Sequence, residues 1–308
     1  MKIIFFGNNE RGVICLEKLI EAKQNIVGVV TLPDKMQPSW SRNVATIAKT
    51  YDLKTLQPLD VNTQDSITQL KSLNPDLIVL AGYPRLVCEA IRSMPSLSCI
   101  NLHASPLPNY RGAAPLNWML INGERRGGIS IIEADQGVDT GDILAQEFFE
   151  IAENDDYKSL LDLTLNLFPK LLLRTISNLQ SGNLKRIKQN TTEGTFFTKR
   201  LPEDGLIKWD LMTSIQIHNM VRALVYPMPG AFTYIGEKKL IIEKTQPIKR
   251  EYRGVSGRIS ANWPSGIIVM CKDRGLLVKN IRSQSNTLIN ARDVMPQTGF
   301  DLGYRIEK

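Results

Sequence analysis

The sequence predicts an α/β protein: a doubly wound, mostly parallel sheet followed by a small β-barrel of the OB type. Three observations predict it. Continuous apolar runs such as KIIFF (Lys2–Phe6) and LIVLA (Leu77–Ala81) read as strands buried on both faces. Runs of this kind alternate with amphipathic helical stretches in the first part of the chain. After Pro229-Gly230 the pattern changes to short strands separated by turn residues. The 308 residues suit two domains, expected at 1–181 and 207–308. Residues 182–206, with Gly182, Gly194, Gly205 and few core signals, read as a linker.

The first domain takes its elements in order. Lys2–Phe6 ends at Gly7-Asn8-Asn9, a turn into a helix over about residues 11–22. This is strand–turn–helix without G-x-G-x-x-G, so no dinucleotide site is indicated; the amides at the helix start suit an anionic group. A strand at Ile26–Val30, a proline-containing loop at 31–43, a helix at 44–51 and a short strand at 54–56 follow. A helix at 66–73 stops before Asn74-Pro75, and Leu77–Ala81 runs into Gly82-Tyr83-Pro84-Arg85-Leu86-Val87. Strands are expected at 128–133 and 143–151. The helix at 157–179 contains Pro169, which should kink it.

In the second domain a helix at 214–224 leads to Tyr226-Pro227-Met228-Pro229-Gly230. Five strands follow, at 232–235, 240–244, 255–259, 266–271 and 276–281. His218 falls within the helical pattern and reads as structural.

Composition narrows the functional classes. Hydrophobic residues make up 43% and charged residues 22%, as in ordinary globular chains that build a core without staples. Cys15, Cys88, Cys99 and Cys271 lack metal or redox spacing and read as reduced thiols of a cytoplasmic protein, with no metal bound. MKIIFFGNN is too short an apolar run for a signal peptide, and no stretch is long enough to span a bilayer. The net charge of +7 is uneven: residues 190–308 hold 18 Lys+Arg against 11 Asp+Glu, so the excess lies wholly there. Such an excess suits phosphates of a nucleotide or RNA, or is a solvated basic face.

The stretch that carries chemistry is CINLHASPLPNYRG, Cys99–Gly112. Asn101 and His103 share one face of a strand by their spacing of two. Ser105-Pro106-Leu107-Pro108 then fixes the chain without continuing sheet or helix. An amide and an imidazole at a strand's carboxyl end lie where open α/β sheets bind ligands. The second polar loop, Asp135–Gly141, offers a carboxylate that would orient His103 and raise its basicity.

On these residues the chain resembles the folate-dependent formyltransferases, which act on glycinamide ribonucleotide, methionyl-tRNA or sugar nucleotides. The strings NLHASPLPNYRGAAP and GVDTGDIL carry the resemblance, which runs over essentially the whole chain. It implies that Asn101, His103 and Asp139 form the catalytic set, with Asn101 and His103 stabilising an oxyanion and Asp139 orienting His103. It implies 10-formyltetrahydrofolate as donor, held by Tyr83, Pro84, Arg85, Leu86 and Val87 with Asp135, Gly137 and Val138. Leu86 and Val87 also suit plain core packing, and Arg85 suits a surface or cap role. Asn8, Asn9, Ser105, Arg111 and Trp118 are the candidate substrate contacts; a turn role for Ser105 is equally open.

For the acceptor, RGAAPLNW, KRLPEDGLIKW, HNMVRA and PMPGAFTYIGEKKL resemble the enzyme domain acting on UDP-4-amino-4-deoxy-L-arabinose. The short loop TLPDKMQPSWSRN holds only Lys35 and Arg42, less than a tRNA clamp would present. The expected acceptor is therefore a nucleotide-linked amino sugar, with methionyl-tRNA as the alternative. The barrel allows a homodimer, although no exposed apolar stripe requires one.

Overall fold

The computed structural model describes residues 1–37, 39–190, 192–283, 287–295 and 298–303. Residues 304–308 of the second expected domain lie outside them. The chain runs β1 (Lys2–Gly7), α1 (Asn9–Glu21), β2 (Asn25–Val30), α2 (Val44–Thr50), β3 (Thr55–Leu56), α3 (Gln64–Lys71), β4 (Leu77–Ala81), α4 (Glu89–Arg92), β5 (Ser98–His103) and β6 (Arg111–Gly112). Next come α5 (Pro115–Ile121), β7 (Arg126–Glu133), β8 (Ile143–Glu150), α6 (Tyr157–Gln180), β9 (Phe196–Phe197) and α7 (Ser214–Ala223). The last elements are β10 (Ala231–Ile235), β11 (Lys238–Pro247), β12 (Ile259–Trp263), β13 (Gly266–Met270), β14 (Gly275–Arg282), β15 (Leu288–Asn290) and α8 (Ala291–Val294).

Two compact units are present. One comprises Met1–Gly112, Arg126–Glu150 and Leu161–Phe197; the other comprises Ala113–Arg125, Ile151–Leu160 and Thr198–Lys308. Sequence order alone assigned α5 to the first domain. Packing assigns it to the second unit, where Asn117 Nδ2 donates to Ala223 O of α7 at 2.6 Å.

The first unit is built on a seven-stranded sheet of order β3-β2-β1-β4-β5-β7-β8. The five strands from β3 to β5 are parallel, and β7 and β8 form an antiparallel hairpin beside β5. Ile3–Phe6 and Leu77–Val79 are fully buried, as a sheet covered on both faces requires. Each such side chain contributes about 1.5–3 kcal/mol of burial. Helix α1 lies close on β1: a Cβ on Gly12 would come within 3.0 Å of Gly7 Cα. The chain order reverses between β1 and β4, so their carboxyl ends open the crevice where such sheets bind ligands. Asn8 and Asn9 follow β1, Gly82 and Tyr83 follow β4, and β5 ends at His103.

The second unit holds a six-stranded antiparallel sheet of order β10-β11-β14-β13-β12, with β15 on β14. Residues 299–303 close it into a barrel, because Tyr234 bridges to Gly303 and Arg258 to Asp301. Ile267–Val269 and Leu276–Val278 fill the interior. Among the described residues no helix is long and apolar enough to cross a membrane.

Two elements differ from expectation. The strand expected at 255–259 lies at β12, because Gly257 takes φ +81° and turns the chain first. The segment expected as a linker contains β9, paired parallel with β6, and the buried Gln189.

Candidate active site

Asn101, His103 and Asp139 are brought together. Asn101 and His103 project from β5 on one face, as the period-2 spacing requires. The hairpin β7–β8 lies antiparallel to β5, with Asn101 opposite Ile132 and His103 opposite Ser130. Its loop, residues 134–142, carries Asp139 back to them. Asn101 Nδ2 donates to Asp139 Oδ1 at 3.1 Å, and the Gly112 amide donates to Asp139 Oδ2 at 3.0 Å. Asp139 Oδ1 lies 3.4 Å from His103 Nδ1, both side chains being at least nine-tenths buried. Asp139 has φ +55°, the left-handed region that a residue with a Cβ rarely adopts.

The tautomer of His103 follows from its other nitrogen. Nε2 lies 2.8 Å from Tyr110 O, which can only accept, so Nε2 carries the proton. In the neutral ring Nδ1 then presents a lone pair to the Asp139 carboxylate, which fits the long 3.4 Å separation. Burial pushes the imidazole below its ordinary value; the Asp139 charge and the Tyr110 carbonyl oppose that shift, and Arg11 adds to it. Two expectations change. The carboxylate was to raise the basicity of His103, but burial outweighs it. The ring N–H that was to meet an oxyanion is taken by Tyr110.

The loop that supplies Tyr110 is held from behind. Ser130 Oγ donates to Ser105 O at 2.7 Å and accepts from the Leu107 amide at 3.2 Å. The Tyr110 amide donates to Thr195 Oγ1 at 2.9 Å, and its ring stacks on Phe197 at 4.7 Å. Ser105 is fully buried and its hydroxyl donates to Asn109 O at 2.9 Å. It therefore has the turn role and offers nothing to a substrate. Arg111 is 5% exposed, and its guanidinium is spent on Gln189 Oε1, Glu193 O and Asn190 O. The charge that suggested a substrate contact serves as an internal tie.

The other candidates lie on three edges. Asn8 is 6% exposed with an unpartnered Oδ1, and the Asn9 amide sits against Gly82. Tyr83 packs edge-on to Phe6, and burial pushes its phenol up. Pro84 is exposed. Arg85 bonds Leu59 O, a surface tie that gives it no inward group. Leu86 is 69% exposed, whereas Val87 is buried in the core. Asp135 accepts from the Gly137 amide and the Thr140 hydroxyl, which shapes the loop and leaves Val138 exposed at its tip. A Cβ on Gly137 would fall 2.0 Å from Thr140 Oγ1, so a larger residue there would displace the hydroxyl that bonds Asp135. A cavity of about 470 Å³ opens along the loop, lined by Cys99, Asp135, Thr140 and Gln189 among others. Trp118 lies in the second unit, where its Nε1 donates to Thr198 O and Arg200 lies 5.0 Å over its ring. His218 of α7 has its Nδ1 2.9 Å from Thr245 Oγ1 of β11, with Arg222 and Glu153 acting on the ring.

Sequence reasoning missed Tyr110, Ser130, Gln189 and Thr195. Ser130 carries one signal, a polar residue in an otherwise apolar strand. The other three act through backbone carbonyls or across distant segments, which no local pattern announces.

The profile of the formyl transferase family matches residues 1–176, and that of the formyl transferase C-terminal domain matches residues 200–298. Similar proteins include a methionyl-tRNA formyltransferase of Ruminiclostridium cellulolyticum, 35% identical over 100% of both chains. One from Caldanaerobacter subterraneus is 36% identical over 96% of each. Among solved structures, an N-formyltransferase from Helicobacter canadensis, in complex with folinic acid and dTDP-3-aminofucose, has TM-score 0.68 and 20% identity. That match covers 91% of this chain and 99% of that one. A methionyl-tRNA formyltransferase from Clostridium thermocellum has TM-score 0.57 at 20% identity, covering 80% and 93%. With the Asn/His/Asp cluster on β5 and its hairpin loop, these matches show that the chain belongs to the formyl transferase family.

Proposed function

We propose that this chain transfers the formyl group of 10-formyltetrahydrofolate to the amino group of methionyl-tRNA. The observation that carries this reading is the full-length identity of 35% to a protein of that name. The amino-sugar acceptor, placed first on short strings and one loop, takes second place. The sugar-acting structural neighbour shares 20% identity, which speaks for the fold alone. Arg42 of the short loop is paired with Glu10 and Glu17 at 2.7 Å, so contacts to tRNA phosphates have to come from elsewhere in the chain. The excess of +7 in residues 190–308 suits the phosphate backbone of an RNA.

The site residues divide the chemistry between them. The second amide hydrogen of Asn101 Nδ2 donates to the formyl oxygen as negative charge collects there; one such donor is worth about 2.7–4 kcal/mol. His103, kept neutral by burial, takes the proton of the attacking amine on Nδ1. The imidazolium so formed lies beside Asp139, which turns an opposition of lone pairs into an attraction. The amine nitrogen gains a bond to the formyl carbon, the bond from that carbon to the donor nitrogen breaks, and the proton on His103 passes to the donor nitrogen. The residues around Leu86 and Val138 fit the donor, because both loops present exposed apolar side chains to a flat heteroaromatic ring.

The test offers 10-formyltetrahydrofolate with methionyl-tRNA or with UDP-, dTDP- and GDP-linked amino sugars, at several salt concentrations. Transfer to methionyl-tRNA with steep loss of kcat/KM as salt rises is expected. Transfer to an amino sugar alone overturns the acceptor assignment.

A further inference from the structure

We propose that Gln189 is the positioning residue that sets the geometry between His103 and Asp139. The proposal rests on the roles given to those two side chains above. Its basis is one carboxamide, 6% exposed, whose four hydrogen-bonding sites are all used. Nε2 donates to Asp139 O at 3.0 Å and to Gly141 O at 2.7 Å. Oε1 accepts from Arg111 Nε at 3.2 Å and Nη2 at 2.9 Å. Gln189 thus joins the two chain segments that meet at the site.

What it joins matters more than the number of bonds. Arg111 sits between Tyr110, whose carbonyl holds His103 Nε2, and Gly112, whose amide holds Asp139 Oδ2. The other end of the amide grips the carbonyl of Asp139 itself, the residue held at φ +55°. One rigid side chain therefore ties the support of the imidazole to the backbone of its carboxylate.

Chemistry selects glutamine here. The Arg111 guanidinium needs an acceptor, and a carboxylate would serve. A carboxylate cannot donate to the two carbonyls, however, and would bring a second negative charge to Asp139. An aliphatic residue would satisfy neither end. The groups facing His103 are Asp139 from the hairpin loop, Arg11 from α1 and the Tyr110 carbonyl. Of these, Asp139 is the one that Gln189 holds. Its withdrawal removes the charge that favours protonated His103 and leaves the Arg11 charge, which disfavours it.

The test compares wild type with Gln189→Glu and Gln189→Met by steady-state formyl transfer across pH, and by NMR titration of the histidine rings. The chain has two histidines, so His218 is an internal control. The expected result is a fall in kcat of at least about 10-fold, in line with small misplacements of reacting groups, with the KM of the donor little changed. In Gln189→Met the acid limb of the pH profile and the His103 titration both move to lower pH, because the Asp139 charge withdraws and nothing replaces it, while His218 stays where it was. Gln189→Asn, which keeps both amide functions on a shorter stem, should recover part of kcat; it also replaces either variant that does not fold. Unchanged kcat, a fall in kcat with both titrations fixed, or equal movement of both histidines overturns the proposal. Asp139→Asn separates the two levels. If it is fully active, the reading of the pair fails; if it is inactive while Gln189→Glu behaves as wild type, only the role of Gln189 fails.

Discussion

Each unit contains a proline-bearing loop fastened by a buried arginine, and the two arginines are compensated differently. In the second unit Arg282 meets a charge: its Nε donates to Glu243 Oε2 at 2.7 Å, with the two side chains 6% and 10% exposed. Glu243 also accepts from the Tyr226 amide, and Arg282 Nη1 donates to Met228 O, so the pair closes residues 224–230. Gly230, at φ +98°, leaves room for that guanidinium: a Cβ there would lie 3.0 Å from Nη2. In the first unit Arg111 meets a neutral amide and two backbone carbonyls. In the second unit the buried guanidinium is matched by a full charge. Beside Asp139 it would disturb the charge on which the proposed proton transfer depends, and a dipole takes its place.

The largest effects are expected at the three side chains to which the proposed mechanism assigns the chemistry. Asn101→Ala, His103→Gln and Asp139→Ala should each lower turnover by roughly 10²–10⁴-fold, with circular dichroism and thermal midpoint close to wild type. A fully active Asp139→Ala protein would remove that carboxylate from the mechanism. The second unit should respond in the opposite currency. Glu243→Ala strands a buried guanidinium and should cost about 3–5 kcal/mol in urea unfolding, with little change in turnover per folded molecule. Replacing both partners, Glu243→Leu with Arg282→Met, should recover much of that loss. If the double variant is as unstable as the single one, the pair does more than neutralise itself.

A third experiment uses pH. His103 is pushed below its ordinary value by burial, and His218 by burial and then Arg222. Below the unperturbed imidazole value the unfolded chain binds protons that the folded chain does not, so stability must fall as pH drops. His103→Gln should flatten part of that fall in urea midpoints measured between neutral and acid pH; an unchanged slope would mean the buried ring is not neutral. The smallest effect belongs to Ser105→Ala. It loses one hydrogen bond, worth about 0.5–1.5 kcal/mol, and should retain near wild-type turnover; a large drop would return Ser105 to the substrate.

Much of this was legible in the residues because period and type report strands and their faces. Lys2–Gly7, Leu77–Ala81 and the Asn101/His103 pair were readable for that reason. Asp139 was readable only through the resemblance, since its place depends on a hairpin folding back over β5. Tyr110 and Gln189 were not readable. One acts through a main-chain carbonyl that every residue possesses, and the other reaches across 50 positions to Asp139. Ser105 and Arg111 misled because polar type says that a partner is needed, and not whether that partner is a ligand or the protein.

The barrel closure makes both of its margins depend on residues 299–303. One short segment, residues 299–303, pairs with Tyr234 of β10 and with Ile259 of β12, while Leu206 and Ile207 cover Phe232 on β10. Removing that segment would free the amides and carbonyls of Tyr234 and Ile259 together, and would turn a self-capped sheet into a template for neighbouring copies.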